Sequence, residues 1–157
     1  MSERVEALLA RLQKGLDKTT ALFRALEPAQ WEMTLYAEPY PWTVRGLLAH
    51  LVSAEDGLRG LAQDVAGGGR GAPEGFDYDA YNTAEQERLA AVSAGQLLAD
   101  LVASRQETLA WAATLVEADL ERTGYHPALG WVSLETLVTA IYGHQLMHAR
   151  DLIQKIK

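Results

Sequence analysis

The chain has 157 residues, no cysteine and a formal net charge of −7, with 48% hydrophobic and 22% charged residues. The length predicts one domain over residues 1–157. The lack of cysteine excludes disulfides and cysteine nucleophiles. Together with an acidic start that has no signal-peptide core, it favours a cytoplasmic location. No apolar run approaches the ~20 residues that span a bilayer, and the acidic balance with scattered Lys and Arg argues against nucleic acid as a partner.

Two long helical segments are predicted in the first half of the chain. The first runs from about Val5 to Leu26, where apolar residues recur every three or four positions. Pro28 ends this segment or starts a short turn. Thr43 is the expected N-cap of the second segment, from Val44 to about Ala66.

A crossover separates the two halves of the chain. The stretch 67–76 is rich in glycine and proline and is expected to be irregular. A short helix is predicted from Asp77 to Leu89. Ser93 and Gln96 form a capping box that opens the third long segment, which runs to about Glu117.

The last segment completes an all-α pattern. Residues 124–127 are predicted to be a loop, and Ser133 is the expected cap of a helix from Leu134 to the C-terminus. Leu and Ala dominate the composition and Pro is scarce, which favours an all-α fold. The four long segments therefore predict a four-helix bundle.

Three of the four histidines lie on predicted core-facing stripes. His144 and His148 are four residues apart, so on a helix their Cβ atoms lie roughly 6 Å apart on one face. His50 falls on the inner stripe of the second segment, where no Asp or Glu is expected beside it. A buried imidazole without partners costs roughly 1–3 kcal/mol. A shared divalent metal satisfies all three rings, and zinc, nickel, iron and manganese all suit imidazole.

The depth of the histidines along the bundle predicts its topology. His50 lies roughly 10 Å past its cap Thr43, and the midpoint of His144 and His148 lies roughly 20 Å past Ser133. If the two helices are antiparallel and about 23 residues long, His50 and the midpoint of His144 and His148 lie within roughly 4 Å of each other along the bundle axis. If the helices are parallel, that separation is about 10 Å. The metal hypothesis therefore predicts an up-down-down-up bundle with a long crossover between its second and third helices.

Other residues are weaker candidates for the site. His126 precedes a proline in a loop and is not expected to be a ligand. Asp151 falls near the His144 face, where it either orients a ligand imidazole or, as we favour, pairs with a basic residue or faces solvent. Tyr81 and Asn82 are candidates for a pocket wall, although their stretch is more simply interpreted as packing over one bundle end. Trp42 is expected to be a hydrophobic staple.

Three stretches of the chain resemble the DinB-like (DinB/YfiT) metalloenzyme superfamily in their order and spacing. They are Pro41–Leu51, His126–Leu134 and Gly143–Leu152. The resemblance covers nearly the whole chain and implies a four-helix bundle with a divalent metal site formed by His50, His144 and His148. Asp151 departs from the pattern, because many members have Gln at that position.

The resemblance also implies a class of chemistry. Characterised members include mycothiol-dependent maleylpyruvate isomerase and bacillithiol transferases, so a low-molecular-weight thiol and a small-molecule electrophile are the expected partners. Gln145 stands where zinc proteases carry Glu, which argues against peptide hydrolysis. We predict a metal-dependent thiol transferase or isomerase whose acid or base the sequence does not identify. The alternative is a non-catalytic metal- or ligand-binding bundle of a stress response, and a homodimer suits both.

Overall fold

Five α-helices and one β-hairpin make up the chain, which the computed structural model describes over residues 1–157. The helices are α1 Glu3–Arg24, α2 Val44–Ala66, α3 Tyr78–Arg88, α4 Ala94–Ala112 and α5 Leu134–Ile156. The strands are β1 Thr123–His126 and β2 Gly130–Ser133, and 3-10 helices cover Pro28–Glu32 and Glu117–Glu121. No helix is both long enough and apolar enough to cross a membrane.

Hydroxyl side chains cap the long helices at the predicted positions. Thr43 accepts a hydrogen bond from the Gly46 N–H, and Ser93 accepts one from the Gln96 N–H. Ser133 caps α5 in the same way. These bonds satisfy N–H groups that have no partner inside the helix, which fixes where each helix begins.

The first and last helices of the chain, α1 and α5, run in the same direction. Arg4 at the start of α1 forms an ion pair with Glu135 at the start of α5. Seven residues further along both helices, about two turns, Arg11 Nη1 donates to the Tyr142 hydroxyl at 3.3 Å.

The second and third long helices of the chain, α2 and α4, are parallel to each other and antiparallel to α1 and α5. Arg59 of α2 donates to the Ser104 carbonyl of α4 at 2.8 Å. Val65 at the end of α2 packs in one core cluster with Val5 at the start of α1 and Leu134 at the start of α5. The up-down-down-up bundle with its long crossover is therefore confirmed.

The core consists of two apolar clusters separated by polar residues. One cluster surrounds the start of α1, and the other surrounds its end, where Phe23 packs with residues of α2, α4 and α5. Between them lie four buried polar side chains that we call the polar layer. The polar layer is Glu55, Arg105, Thr108 and Gln145.

The third long helix ends earlier than predicted. It stops at Ala112 rather than Glu117, because the Thr114 hydroxyl donates to the Trp111 carbonyl at 2.6 Å and Leu115 turns into the core. A 3-10 helix then carries the chain to the hairpin.

The predicted loop at 124–127 is wrong for residues 124–126, which belong to a two-stranded antiparallel sheet, while Pro127 lies in its turn. Tyr125 pairs with Trp131 and His126 pairs with Gly130. Each strand has only four residues, too few for an alternating hydrophobic pattern to stand out from a loop. The hairpin packs against the end of α2, where a Cβ on Gly124 would come within 2.2 Å of Val65 Cγ2.

Candidate metal centre

The side chains of His50, His144 and His148 meet between α2 and α5. His144 Nε2 lies 3.1 Å from His50 Nε2 and 3.1 Å from His148 Nε2. One ligand nitrogen from each ring lies within 4.8 Å of the others. The antiparallel packing of α2 and α5 produces this juxtaposition, since it brings residue 50 level with residues 144 and 148.

The separations fit a shared cation. Nitrogen ligands about 2.0–2.1 Å from one ion stand roughly 3.0–3.4 Å apart at ordinary coordination angles. The two Nε2–Nε2 distances of 3.1 Å fall in that range. Neutral imidazoles with their Nε2 lone pairs facing one point repel one another, and a divalent cation at that point removes the repulsion. The residues present therefore fit a divalent metal, with coordination positions left for a further ligand.

A tyrosine and a carboxylate fix the orientation of His148. The Tyr36 hydroxyl lies 2.6 Å from His148 Nδ1 and 2.6 Å from Asp151 Oδ2. Its single proton goes to the carboxylate, so its oxygen accepts from the Nδ1–H of His148. This assignment leaves the Nε2 lone pair of His148 facing the other two rings, as a metal ligand requires.

The favoured interpretation of Asp151 as a surface partner of a basic residue is therefore replaced by a contact through Tyr36. Burial and the hydrogen bond to Asp151 raise the pKa of Tyr36, so the phenol stays protonated. Tyr36 was not among the sequence candidates, because it lies in an irregular segment with no periodic pattern. The only sequence signal was Asp151 itself, which follows His148 by three residues on the same helical face.

The segment that carries Tyr36 is held to the start of α2. The Leu35 N–H donates to the Trp42 carbonyl at 2.8 Å, and the Val44 N–H donates to the Met33 carbonyl at 2.9 Å. Trp42 does more than staple the helix start, because its ring centroid lies 4.7 Å from that of His50. An aromatic wall thus excludes water from one side of the cluster.

Burial keeps the three imidazoles neutral. His50 is 7% exposed and His148 is 9% exposed. Desolvation, with smaller contributions from the neighbouring histidines, lowers the pKa of His50 to about 3. Desolvation also lowers the pKa of His144 to about 4, again helped by neighbouring rings. Neutral imidazole is the form that binds metal, so the apoprotein is already in the ligand state near neutral pH.

The polar layer lies beside the cluster. Arg105 donates to both oxygens of Glu55 at 2.7 and 2.9 Å and to Gln145 Oε1 at 2.9 Å. It also donates to the Leu12 carbonyl at 2.7 Å. One side chain of α4 therefore ties α1, α2 and α5 together. Glu55 is also buried on α2, five residues from His50, and its hydrogen bonds go to Arg105 and Thr108 rather than to the rings.

Tyr81 and Asn82 are half-buried on α3. The Tyr81 hydroxyl donates to Glu85 Oε1 at 3.2 Å and lies against Gly57. Gly57 is seven residues along α2 from His50, about 10 Å at 1.5 Å per residue. The side chain of Tyr81 thus packs α3 onto α2 and does not contact the three rings.

Two surface cavities lie at different distances from the cluster. A cavity of about 320 Å³ adjoins Tyr36 and Asp151, with Leu35, Gln154 and Lys155 as its other walls. A cavity of about 350 Å³ lies beside Arg70 and Trp131 and contains none of the predicted site residues. Small polar molecules therefore reach the Asp151 side of the site from solvent.

The sequence model of the DinB superfamily matches residues 4–152. The chain belongs to the DinB superfamily. This membership fits the up-down-down-up bundle and the three clustered histidines. A comparison with curated proteins gives no match.

Solved structures of low sequence identity share the DinB superfamily fold. YfiT from Bacillus subtilis, described as a probable metal-dependent hydrolase with an unusual four-helix bundle topology, is 18% identical with a TM-score of 0.74. That match covers 99% of this chain and 90% of YfiT. The colibactin self-resistance protein ClbS, solved in complex with a dsDNA, is 14% identical with a TM-score of 0.71, covering 96% and 95% of the two chains.

The mycothiol-dependent maleylpyruvate isomerase is also similar to this DinB superfamily chain. It is 16% identical with a TM-score of 0.77, and the match covers 97% of this chain. The chain spans only 63% of the length of the isomerase. At these identities the similarity shows the fold.

Proposed function

We propose that this DinB superfamily protein binds one divalent transition metal through His50, His144 and His148. The observation that supports the proposal is the pair of 3.1 Å separations among the Nε2 atoms of two buried histidines and one half-buried histidine. In the metal-free protein these contacts suit N–H···N hydrogen bonds between neutral rings, and a divalent cation would take the place of the shared proton. Zinc, nickel, iron and manganese all suit this donor set, and their availability decides among them.

The residues around the cluster have separate roles in this proposal. A divalent metal supplies Lewis acidity and lowers the pKa of a bound thiol or water toward neutrality. Tyr36 and Asp151 hold the ring of His148 in the ligand tautomer. Trp42 covers His50 and keeps water from that side.

We propose a metal-dependent transferase or isomerase that uses a low-molecular-weight thiol on a small electrophile. In a transfer, a sulfur–carbon bond forms, the leaving group departs, and the thiol proton passes to solvent. Two observations support a thiol from outside. The chain has no cysteine of its own, and a solved structure of the same fold is a mycothiol-dependent isomerase.

Metal content tests the first part of the proposal. Purified untagged protein, reconstituted with each of the four metals and desalted, should retain about one equivalent of at least one of them by mass spectrometry. His148→Ala should retain less than a tenth of that amount. His126→Asn is the matched control, because His126 lies outside the three-histidine cluster and its replacement should leave metal content unchanged. Wild-type protein without metal after reconstitution contradicts the proposal.

Turnover of a small electrophile tests the second part. Metal-loaded wild type, incubated with several low-molecular-weight thiols and small electrophiles, should convert the electrophile faster than metal-free protein or His148→Ala, with loss of thiol in a transfer and with the thiol regenerated in an isomerisation. A non-catalytic metal- or ligand-binding bundle is the second candidate, favoured by the engagement of Asp151 with Tyr36, which leaves no free carboxylate beside the rings. Full metal loading without conversion of any electrophile in the presence of any of the thiols supports this second candidate.

Several properties stay predictions for this chain. They include a homodimer, a cytoplasmic location, a stress-response role, and pocket positions for Tyr81 and Asn82. The dsDNA complex belongs to ClbS, and the net charge of −7 remains the reason to expect no nucleic-acid partner here.

A further inference from the structure

The glycine-rich crossover after α2 folds back onto the side of α2 that carries His50. Asp64 Oδ2 accepts from the Gly71 N–H at 3.0 Å, and a Cβ on Gly71 would lie 3.4 Å from Leu61 Cδ1. Leu61 follows His50 by eleven residues, or three helical turns, so the two side chains share one face of α2 about 16 Å apart. The start of the crossover therefore lies in line with the histidine cluster along the helix.

The face of α2 between these two points is not covered by core packing. Ala54 and Leu61 are half-buried, and Gly57 is exposed. All three lie three to four residues from the next along the same face as His50. Tyr81 of α3 borders this face at Gly57, where its hydroxyl would lie 3.4 Å from an added Cβ. The small side chains leave room for a small molecule along α2.

A cavity of about 350 Å³ lies at the crossover end of this face, formed by residues 70–74 and Trp131. The guanidinium carbon of Arg70 lies 5.4 Å from the centroid of the Trp131 ring, which packs against Tyr125 at 5.8 Å. Arg70 forms no ion pair, unlike Arg4, Arg59, Arg88, Arg105 and Arg122. A guanidinium held over a ring keeps its N–H groups for a ligand.

The charges in the cavity define the class of its ligand. The planar N–H groups of Arg70 match a carboxylate. Glu74 lines the same cavity and is also without an ion pair, so its carboxylate suits an ammonium group next to the bound carboxylate. Trp131 is 50% exposed, which leaves part of its ring to cover an apolar stem. A carboxylate beside an ammonium is the end group of an amino acid.

We propose that the cavity of Arg70, Glu74 and Trp131 binds the amino-acid end of the thiol that the three-histidine site activates. This inference rests on the proposed function and narrows the class of thiol. The cavity and His50 are separated by about 16 Å along α2, less the reach of the arginine and histidine side chains. A tripeptide spans about 10 Å, so a thiol of tripeptide size or larger meets both ends, whereas cysteine is too short.

Binding of S-methylglutathione to the metal-free protein tests the cavity without the metal site. This probe has an amino-acid end and tripeptide length but no free thiol. In a titration followed by NMR, the indole N–H resonance of Trp131 should shift in wild type. Arg70→Gln should raise the dissociation constant about tenfold, because a charged hydrogen bond to the carboxylate is lost. No shift of the Trp131 resonance, or equal affinity in Arg70→Gln and wild type, overturns the inference.

Arg24→Gln is the matched control. Arg24 lies at the end of α1, outside the cavity, and its replacement should leave the affinity for S-methylglutathione unchanged. An equal loss of affinity in Arg24→Gln and Arg70→Gln means that overall charge and not the cavity binds the probe, which overturns the inference.

Thiol binding to the cobalt(II)-loaded protein connects the cavity to the histidine cluster. A sulfur-to-cobalt charge-transfer band reports the dissociation constant of each thiol. Glutathione should bind about tenfold more tightly than cysteamine, which has no carboxylate, and Arg70→Gln should remove that difference. Equal affinity of the two thiols in wild type overturns the inference. If the Trp131 resonance shifts but neither thiol gives the band, the cavity binds its ligand and the proposed thiol chemistry is wrong.

Discussion

A single phenolic proton sets the state of a proposed ligand on α5. Because Tyr36 gives its proton to Asp151, it accepts from His148 and fixes where that ring carries its own proton. Groups that orient ligand histidines in this way typically change metal affinity by 10- to 100-fold. Tyr36 thus connects a carboxylate to a ligand ring that the carboxylate does not reach directly.

Removal of the Tyr36 hydroxyl should weaken metal binding. In Tyr36→Phe the ring packing stays, but His148 Nδ1 loses its acceptor, so we expect about a tenfold rise in the metal dissociation constant. Competition with a chelator measures it. Tyr40→Phe is the control, because Tyr40 lies in the same segment with its ring centroid 5.7 Å from that of Trp42, whereas the hydroxyl that contacts His148 and Asp151 is that of Tyr36. Equal affinity in Tyr36→Phe and wild type contradicts the role given to Tyr36.

Individual residues differ in how far the sequence predicts them. The i, i+4 spacing of His144 and His148 and the stripe of His50 place these rings on facing helix surfaces before any coordinates. Tyr36 follows no period, and its contact with His148 spans 112 residues. Glu55 was missed because a buried carboxylate looks like a surface residue until its partner Arg105, 50 residues away, is known.

Between helices, the register of α2 and α5 depends on Arg105. This side chain is fully buried and contacts the other three long helices. Breaking one partner of a buried ion pair is strongly destabilising, because the other charge stays behind without compensation. Replacing both partners by apolar residues is often close to neutral.

Arg105→Met should lower the free energy of unfolding by about 3 kcal/mol or more, because Glu55 is left buried without its cation. The double variant Glu55→Leu, Arg105→Leu should recover most of that loss. Urea denaturation monitored by circular dichroism measures both. If the double variant is no more stable than Arg105→Met, the loss does not come from the unpaired carboxylate.

The contact between the hairpin and α2 leaves no room at Gly124. In Gly124→Ala the new methyl group would meet Val65, so we expect a loss of roughly 1–3 kcal/mol in the free energy of unfolding. Gly60→Ala is the control, since nothing lies within 4 Å of its Cβ position and helical Ala should add roughly 0.5–1 kcal/mol. Thermal unfolding of both variants checks the pair.

Element boundaries followed local chemistry where that chemistry was strong. Three helix starts were predicted from the N-caps Thr43, Ser93 and Ser133, because a hydroxyl residue just before an apolar helical stripe commonly caps the first turn. The end of α4 and the hairpin at 123–133 were misjudged. Both depend on contacts with distant parts of the chain, such as Gly124 against Val65, which a local pattern does not contain.

Across the whole molecule, the buried histidines link stability to pH. Their pKa values are lowered in the folded state, to about 3 for His50 and about 4 for His144. In the unfolded chain each titrates near 6.5. The unfolded state therefore binds more protons below that pH, so folding stability is complete above pH 6.5 and falls as the pH drops.

The metal-free protein should lose roughly 1 kcal/mol of unfolding free energy for each of His50 and His144 between pH 7 and pH 5.5. This window lies above the range in which unfolded carboxylates titrate. Urea denaturation in the presence of a chelator measures the change. His50→Gln should show about 1 kcal/mol less dependence on pH than wild type, and an unchanged slope contradicts the assignment.

The division of the interior into two apolar clusters has a consequence for how such a protein diverges. Each end of the bundle buries its own set of Leu, Val and Ala side chains, and the charged and imidazole-bearing middle lies between them. Substitutions in this polar middle leave the apolar packing of both clusters unchanged. The helices can therefore keep their arrangement while the sequence changes widely, and solved structures only 13–18% identical to this chain share its fold with TM-scores of 0.74.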